Sequence, residues 1–188
     1  MTALTPSLLA AAFYLGGMLY QMFCLGKRLT VNTGLLRGIG LIALVAHAAS
    51  LYLQLMTDHG LALGLFNIGS LIAWLIVALT LLSSFRAPVT SLLLGLYPLA
   101  LVTALLAGLF PHEATTLPAG QKGLLVHIVL SVLAYGILTI AAFQATLLAV
   151  QDYQLKHKHP TRFIRTFPPL QTMERLLFQF LLCGELVL

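Results

Sequence analysis

Long apolar runs separated by short polar breaks give this chain its outline. Five of them, at 6–26, 36–56, 61–84, 89–110 and 123–150, each hold about the 20 residues that a helix needs to cross a bilayer core. A sixth run, 176–188, rises only about 20 Å as helix, short of a core about 30 Å thick. It is expected to be a span cut short, belonging to a longer natural chain, the alternative being a non-native tail. Glu185 also sits awkwardly inside it. The pattern predicts an all-α fold, a polytopic transmembrane helix bundle forming one membrane domain over 1–188.

The breaks fix the order of the spans. Lys27 and Arg28 close the first, and a polar link through Asn32 and Thr33 leads to Arg37 and the second. The first run has no basic segment before it and is too long for a signal-peptide core, so it reads as a retained helix. Thr57-Asp58-His59-Gly60 reads as a tight turn. Arg86-Ala87-Pro88 ends the third span, because proline disfavours helix in the residue before it. Tyr97-Pro98 predicts a kink in the fourth span. A polar loop, Pro111–Lys122, leads into the fifth, and DYQLKHKHPTRFIRTFPP follows it.

Composition agrees: 60% of the residues are hydrophobic and 8% charged, against about 25% charged in soluble domains. The net charge of +5 sorts by side. With alternating spans, Lys27, Arg28, Arg37, Arg86, Lys156, Lys158, Arg162, Arg165 and Arg175 fall on one side and Lys122 alone on the other. That asymmetry predicts the basic loops in the cytoplasm and the N-terminus outside. It also accounts for the basic balance without nucleic acid, leaving the lipid bilayer as the first partner. Cys24 and Cys183 lie in apolar runs without CxxC spacing and are expected to be buried thiols.

Polar residues inside the spans carry the candidate chemistry. The fifth holds His127, Ser131, Tyr135 and Thr139, each four residues after the last, which places them on one helical ridge. Helices are expected to pack around that ridge. The second carries His47, Ser50 and Gln54 at i, i+3, i+7, and the third Asn67, Ser70 and Trp74 at the same spacing, read as packing glue. His47 and His127 are the two histidines within spans, roughly 14 Å and 9 Å from the outer ends of their helices. His59 and His112 fall in outer loops, His157 and His159 in the basic cytoplasmic loop, where solvated roles are expected.

A polar ionisable group inside lipid is costly and so marks a functional candidate. Two readings stand for the pair. Two imidazoles on facing helices could ligate a haem iron or line a haem groove. Equally, each could bond only a neighbouring Ser, Asn or Tyr as interhelical glue. Without CxxCH, any haem would be b-type and non-covalent. No P-loop, GxGxxG, HExxH or intramembrane carboxylate pair is present, and the protein is expected not to be an enzyme.

Three stretches resemble the cytochrome c assembly family, membrane haem-handling proteins of the CcsA and CcmC kind, and within it the shorter HemX- and YpjD-type branch. They are VAHAASLYLQLMTDHGLALGLFNIGSLIAW, LLVHIVLSVLAYG and YQLKHKHPTRFIRTFPPLQTMERLLF. The resemblance implies haem binding or handling in cytochrome biogenesis, with cytochrome assembly or haem-synthesis proteins as partners. It matches His127 to an axial ligand on the outer side and His47 to a histidine of the early helix. Ser131 and Tyr135, one and two turns deeper, would orient the imidazole or meet the macrocycle edge. The family's Trp-rich outer segment and second outer His would lie beyond residue 188. Without them, the alternative is a haem-free scaffold or regulatory protein that binds partner proteins.

Overall fold

The computed structural model describes residues 3–27, 29–57, 60–110, 116–117, 122–157 and 168–188. Among them, α1 (Leu4–Lys27) carries Pro6 in its first turn, where a missing N–H breaks no intrahelical bond. α2 (Thr33–Leu55) is capped by Asn32, whose side chain accepts the Leu35 backbone N–H at 3.1 Å. The Asn32 N–H in turn donates to the Tyr20 hydroxyl at 3.0 Å, tying the link back to α1. α3 (Leu65–Ser83) follows, then a 3-10 turn (Thr90–Leu92) running into α4 (Leu93–Leu109). α5 (Lys122–Lys156) and α6 (Leu170–Val187) complete the helices. Five helical segments are long and apolar enough to cross a membrane; α6 is amphipathic and is not one of them.

Three boundaries differ from the sequence reading. The third span begins at Leu65 rather than residue 61, because Gly60–Ala62 forms a strand. Gly60 has φ 122°, a left-handed conformation that glycine adopts without strain. β1 (Met56–Thr57), β2 (Gly60–Ala62) and β3 (Thr116–Leu117) make an antiparallel sheet with β2 central. It ties the α2–α3 turn to the α4–α5 connection, and His59 and His112 lie outside the described residues. α5 continues six residues past Val150, mostly on polar side chains, with Lys156 paired to Asp152 one turn earlier at 2.7 Å. α6 begins at Leu170 rather than near residue 176, directly after Pro168-Pro169. Its first turns carry exposed Glu174 and Arg175 but bury Met173, so an apolar-run criterion misses them. α4 continues through Pro98 as one helix.

Packing explains the order of the bundle. α1 lies against α2 and α4, α3 against α4, α2 and α5, and α5 against α6. The centre is Tyr97 of α4, 1% exposed, set between Gly17 of α1 and Gly40 of α2. A Cβ on either glycine would come within 2.6 Å of the Tyr97 side chain, so only glycine permits this approach. α6 is fastened by two buried glutamines of α5. Gln144 Nε2 donates to the Met173 carbonyl and Gln151 Nε2 to the Pro168 carbonyl, each at 3.0 Å. Of the two thiols, Cys24 is buried as expected, but Cys183 is exposed because it falls on the outward face of α6.

The bundle has a sheet end and a basic end. Lys27, Arg37, Arg86 and Lys156 close helices or begin them at the latter, and Arg175 lies in the second turn of α6. There Arg37 Nε donates to Ser84 Oγ at 3.0 Å, its Nη2 donates to the Ser84 carbonyl, and its guanidinium lies over the Phe85 ring. A cation at the end of α3 meets the negative pole of that helix. The remaining basic residues of the 156–165 cluster, with His159, lie outside the described residues. Thr57→Cys, at the sheet end, is expected to react with a membrane-impermeant thiol reagent in intact cells. Lys156→Cys is expected not to, both in a background with Cys24 and Cys183 replaced by serine. The opposite pattern would turn the molecule over and reverse the side assigned from the Lys and Arg asymmetry.

Candidate functional site

His47 sits in the middle of α2 and is completely buried. Its Nδ1 lies 3.2 Å from the Tyr14 hydroxyl of α1 and its Nε2 2.8 Å from Ser70 Oγ of α3. The Tyr14 ring meets the imidazole edge-on, with centroids 5.8 Å apart. The polar stripes of α2 and α3 continue these contacts. Trp74 Nε1 donates to the Leu44 carbonyl at 3.0 Å, one turn from His47. Toward the sheet end, Gln54 Nε2 donates to Ser50 Oγ at 2.6 Å and to Ser7 Oγ at 3.2 Å. Ser7 also donates to the Ala3 carbonyl at 2.9 Å. Asn67 Nδ2 turns back to the Ala62 carbonyl at 3.0 Å, bracing β2 against α3. The stripe of α3 makes interhelical contacts of the packing kind expected of it, and with the stripe of α2 it joins α1, α2 and α3.

α1 supplies half of this network, which the sequence reading overlooked. Ser7, Tyr14 and Gln21 recur every seventh residue, and all three are buried. A seven-residue polar repeat in an apolar helix marks one seam facing neighbouring helices. That repeat was the available signal.

α5 presents a different surface. Its buried side chains include Val132, Ala134, Ile140, Ala141 and Gln144, facing α3 and α6. The His127, Ser131, Tyr135, Thr139 ridge lies on the other side, so the helices do not pack around it. His127 is exposed, and among the described residues no hydrogen-bond partner meets its imidazole. Ser131 and Thr139 are half-buried, and Tyr135 is 56% exposed. The ridge can face outward because a hydroxyl in a helix can satisfy itself locally: Thr139 Oγ1 donates to the Tyr135 carbonyl at 2.7 Å. Thr146 does the same with the Ala142 carbonyl at 2.9 Å. Below His127 an open, mostly apolar groove of about 400 Å³ runs along α5, lined by Tyr135, Leu138, Thr139, Ala142, Phe143 and Thr146. Further along, His157 stacks on Tyr153 beyond the groove.

The fold therefore separates the two intramembrane histidines. His47 is enclosed at the α1–α2–α3 junction, whereas His127 stands on the outer face of a helix whose neighbours are α3 and α6. Ser131 and Tyr135 accompany His127 on its ridge, and neither touches the His47 junction. No group of three or more His, Cys, Asp or Glu side chains converges among the described residues.

Residues 35–188 match the cytochrome C assembly protein family. The inner membrane protein YpjD of Escherichia coli K12 is 38% identical over 149 residues, which cover 78% of this chain and 56% of that protein. YpjD of E. coli O157:H7 matches to the same extent. An uncharacterized 28.8 kDa protein of Azospirillum brasilense, from the nifR3-like 5′ region, is 35% identical over 77 residues, 40% of this chain and 28% of that one. The chain spans about half the length of the curated relatives it matches. No solved structure matches it. Five candidate spans and these inner-membrane relatives make it a multi-pass inner-membrane protein. From α2 to the last residue its sequence follows one family pattern, and the chain belongs to the cytochrome c assembly protein family.

Proposed function

We propose that this protein binds haem non-covalently and takes part in handling it during cytochrome biogenesis, with His127 as the protein's iron-ligating group. The reading is carried by one observation: His127 is an exposed imidazole within an apolar helix, with no partner among the described residues. A polar group left in that position is unfavourable in lipid unless something meets it. Bound haem would supply an iron that accepts neutral imidazole as axial ligand and a macrocycle that favours apolar surroundings. The residues fit such a group. Exposed Leu124, Val126 and Leu130 flank His127, and Ser131 and Tyr135 continue its ridge. Their part is to orient the imidazole and to offer hydroxyls beside an apolar face. The reading involves no catalysis by the protein, and assembly or haem-synthesis proteins would be its partners.

Haem titrated into the purified protein in detergent should develop a Soret band that saturates at a fixed ratio of haem to protein. A spectrum that remains the sum of free haem and protein overturns the proposal. A haem-free scaffold is the second reading, favoured by the fully hydrogen-bonded His47. It requires that His127→Ala leave complementation intact, whereas haem handling requires that it fail with the protein still present.

A further inference from the structure

The hydrogen-bond accounting around His47 fixes more than its burial. Tyr14 is completely buried, and the His47 Nδ1 is the acceptor that its hydroxyl meets. A buried hydroxyl without an acceptor would lose its hydrogen bond with no water to replace it. Ser70 is buried as completely, but a serine within a helix can give its proton to the carbonyl one turn back, whereas among the described residues the Tyr14 hydroxyl meets Nδ1 alone. Tyr14 is therefore assigned as the donor and Nδ1 as the acceptor. In a neutral imidazole the proton then resides on Nε2, which donates to Ser70 Oγ. Both ring nitrogens are engaged, by two different helices. Tyr14 itself is wedged, with Tyr97 at a centroid distance of 5.5 Å on its other side. Tyr14 also lies before residue 35, outside the stretch that follows the family pattern.

We propose that Tyr14 is a positioning residue that locks His47 as its Nε2–H tautomer against Ser70, withholding it from any metal or haem and making it a three-helix tie. On the haem reading above, His127 is then, among the described residues, the one imidazole within a span that is open to an iron, and His47 is not its second axial ligand. A metal would need a lone pair on one ring nitrogen. Here one lone pair is taken by the Tyr14 hydroxyl and the other nitrogen carries the proton. The two claims depend on different atoms, so they can be tested separately.

Histidine-labelled ¹⁵N NMR of the full chain in detergent reads the tautomer, with the His47 signals assigned by their loss in His47→Gln. The wild type should show the proton on Nε2 of His47. Tyr14→Phe keeps the ring but removes the donor, and should shift His47 toward a mixture of tautomers while the other histidines are unchanged. An Nδ1–H tautomer in the wild type, or no shift in Tyr14→Phe, overturns the lock. Haem titration reads the second claim. His47→Gln, which keeps a polar side chain able to bond Tyr14 or Ser70, should bind the same amount of haem with the same Soret position, at a lower thermal midpoint. A loss of haem or a moved Soret band in His47→Gln overturns the tie. If the wild type itself takes up no haem, the proposed function fails while the tautomer measurement still decides the lock.

Discussion

Replacing His127 by alanine should strip haem from the protein without reducing its amount in the membrane. The side chain is exposed and makes no hydrogen bond among the described residues, so its removal breaks no packing. Alanine is also the better helix former and leaves no polar group in the apolar surface. Tyr135→Phe should act differently. The residue keeps nearly all its apolar area and loses one hydroxyl, and its carbonyl, which accepts from Thr139, stays in place. Intramembrane hydrogen bonds average about 0.6 kcal/mol, so folding should hardly change, and haem affinity should weaken only by a small factor. Ser131→Ala should resemble Tyr135→Phe. The measurement is haem per protein together with protein per membrane. If His127→Ala retains wild-type haem, or disappears from the membrane, His127 is not the ligand.

The class and the order of the spans were legible because they rest on hydrophobic length, which a bilayer enforces residue by residue. The limits were less so, and for local reasons. Gly60–Ala62 are as apolar as a helix start, but β pairing with Met56 and Leu117 claims them. Leu170–Arg175 fail an apolar-run criterion, yet Gln144 bonds the Met173 carbonyl and seats that turn on α5. The periodicities at 47, 50, 54 and 67, 70, 74 marked two polar faces, but not that His47 would meet Ser70 rather than His127. What periodicity cannot carry is direction. A four-residue polar ridge reads the same whether it faces the bundle or leaves it, and on α5 it faces outward, with Thr139 bonding a carbonyl of its own helix. The partner of His47 was hidden differently, 33 residues away on α1. Only the seven-residue repeat of Ser7, Tyr14 and Gln21 pointed there.

The largest effect on stability should come from two glycines that look interchangeable in sequence and are not. Gly17 and Gly40 press on opposite parts of the same Tyr97 side chain. A Cβ at Gly40 would lie 2.5 Å from the Tyr97 hydroxyl and 2.9 Å from a Leu81 methyl. At Gly17 it would lie 2.6 Å from Cε2 of the ring. Overpacking of this kind costs about 1–3 kcal/mol, and Tyr97 cannot swing aside because both flanks are occupied. Gly17→Ala and Gly40→Ala should therefore both lower the thermal midpoint and the yield of folded protein. Tyr97→Phe separates them. It removes the oxygen that Gly40→Ala meets but leaves the ring carbon that Gly17→Ala meets. Its own cost is small, because the hydroxyl donates to the Leu36 carbonyl at a long 3.4 Å. The double variant Gly40→Ala with Tyr97→Phe should recover part of the lost midpoint, the rest remaining with the movable Leu81 methyls. Gly17→Ala with Tyr97→Phe should recover none. Equal rescue of both, or of neither, would mean that Tyr97 does not sit between α1 and α2 in this order.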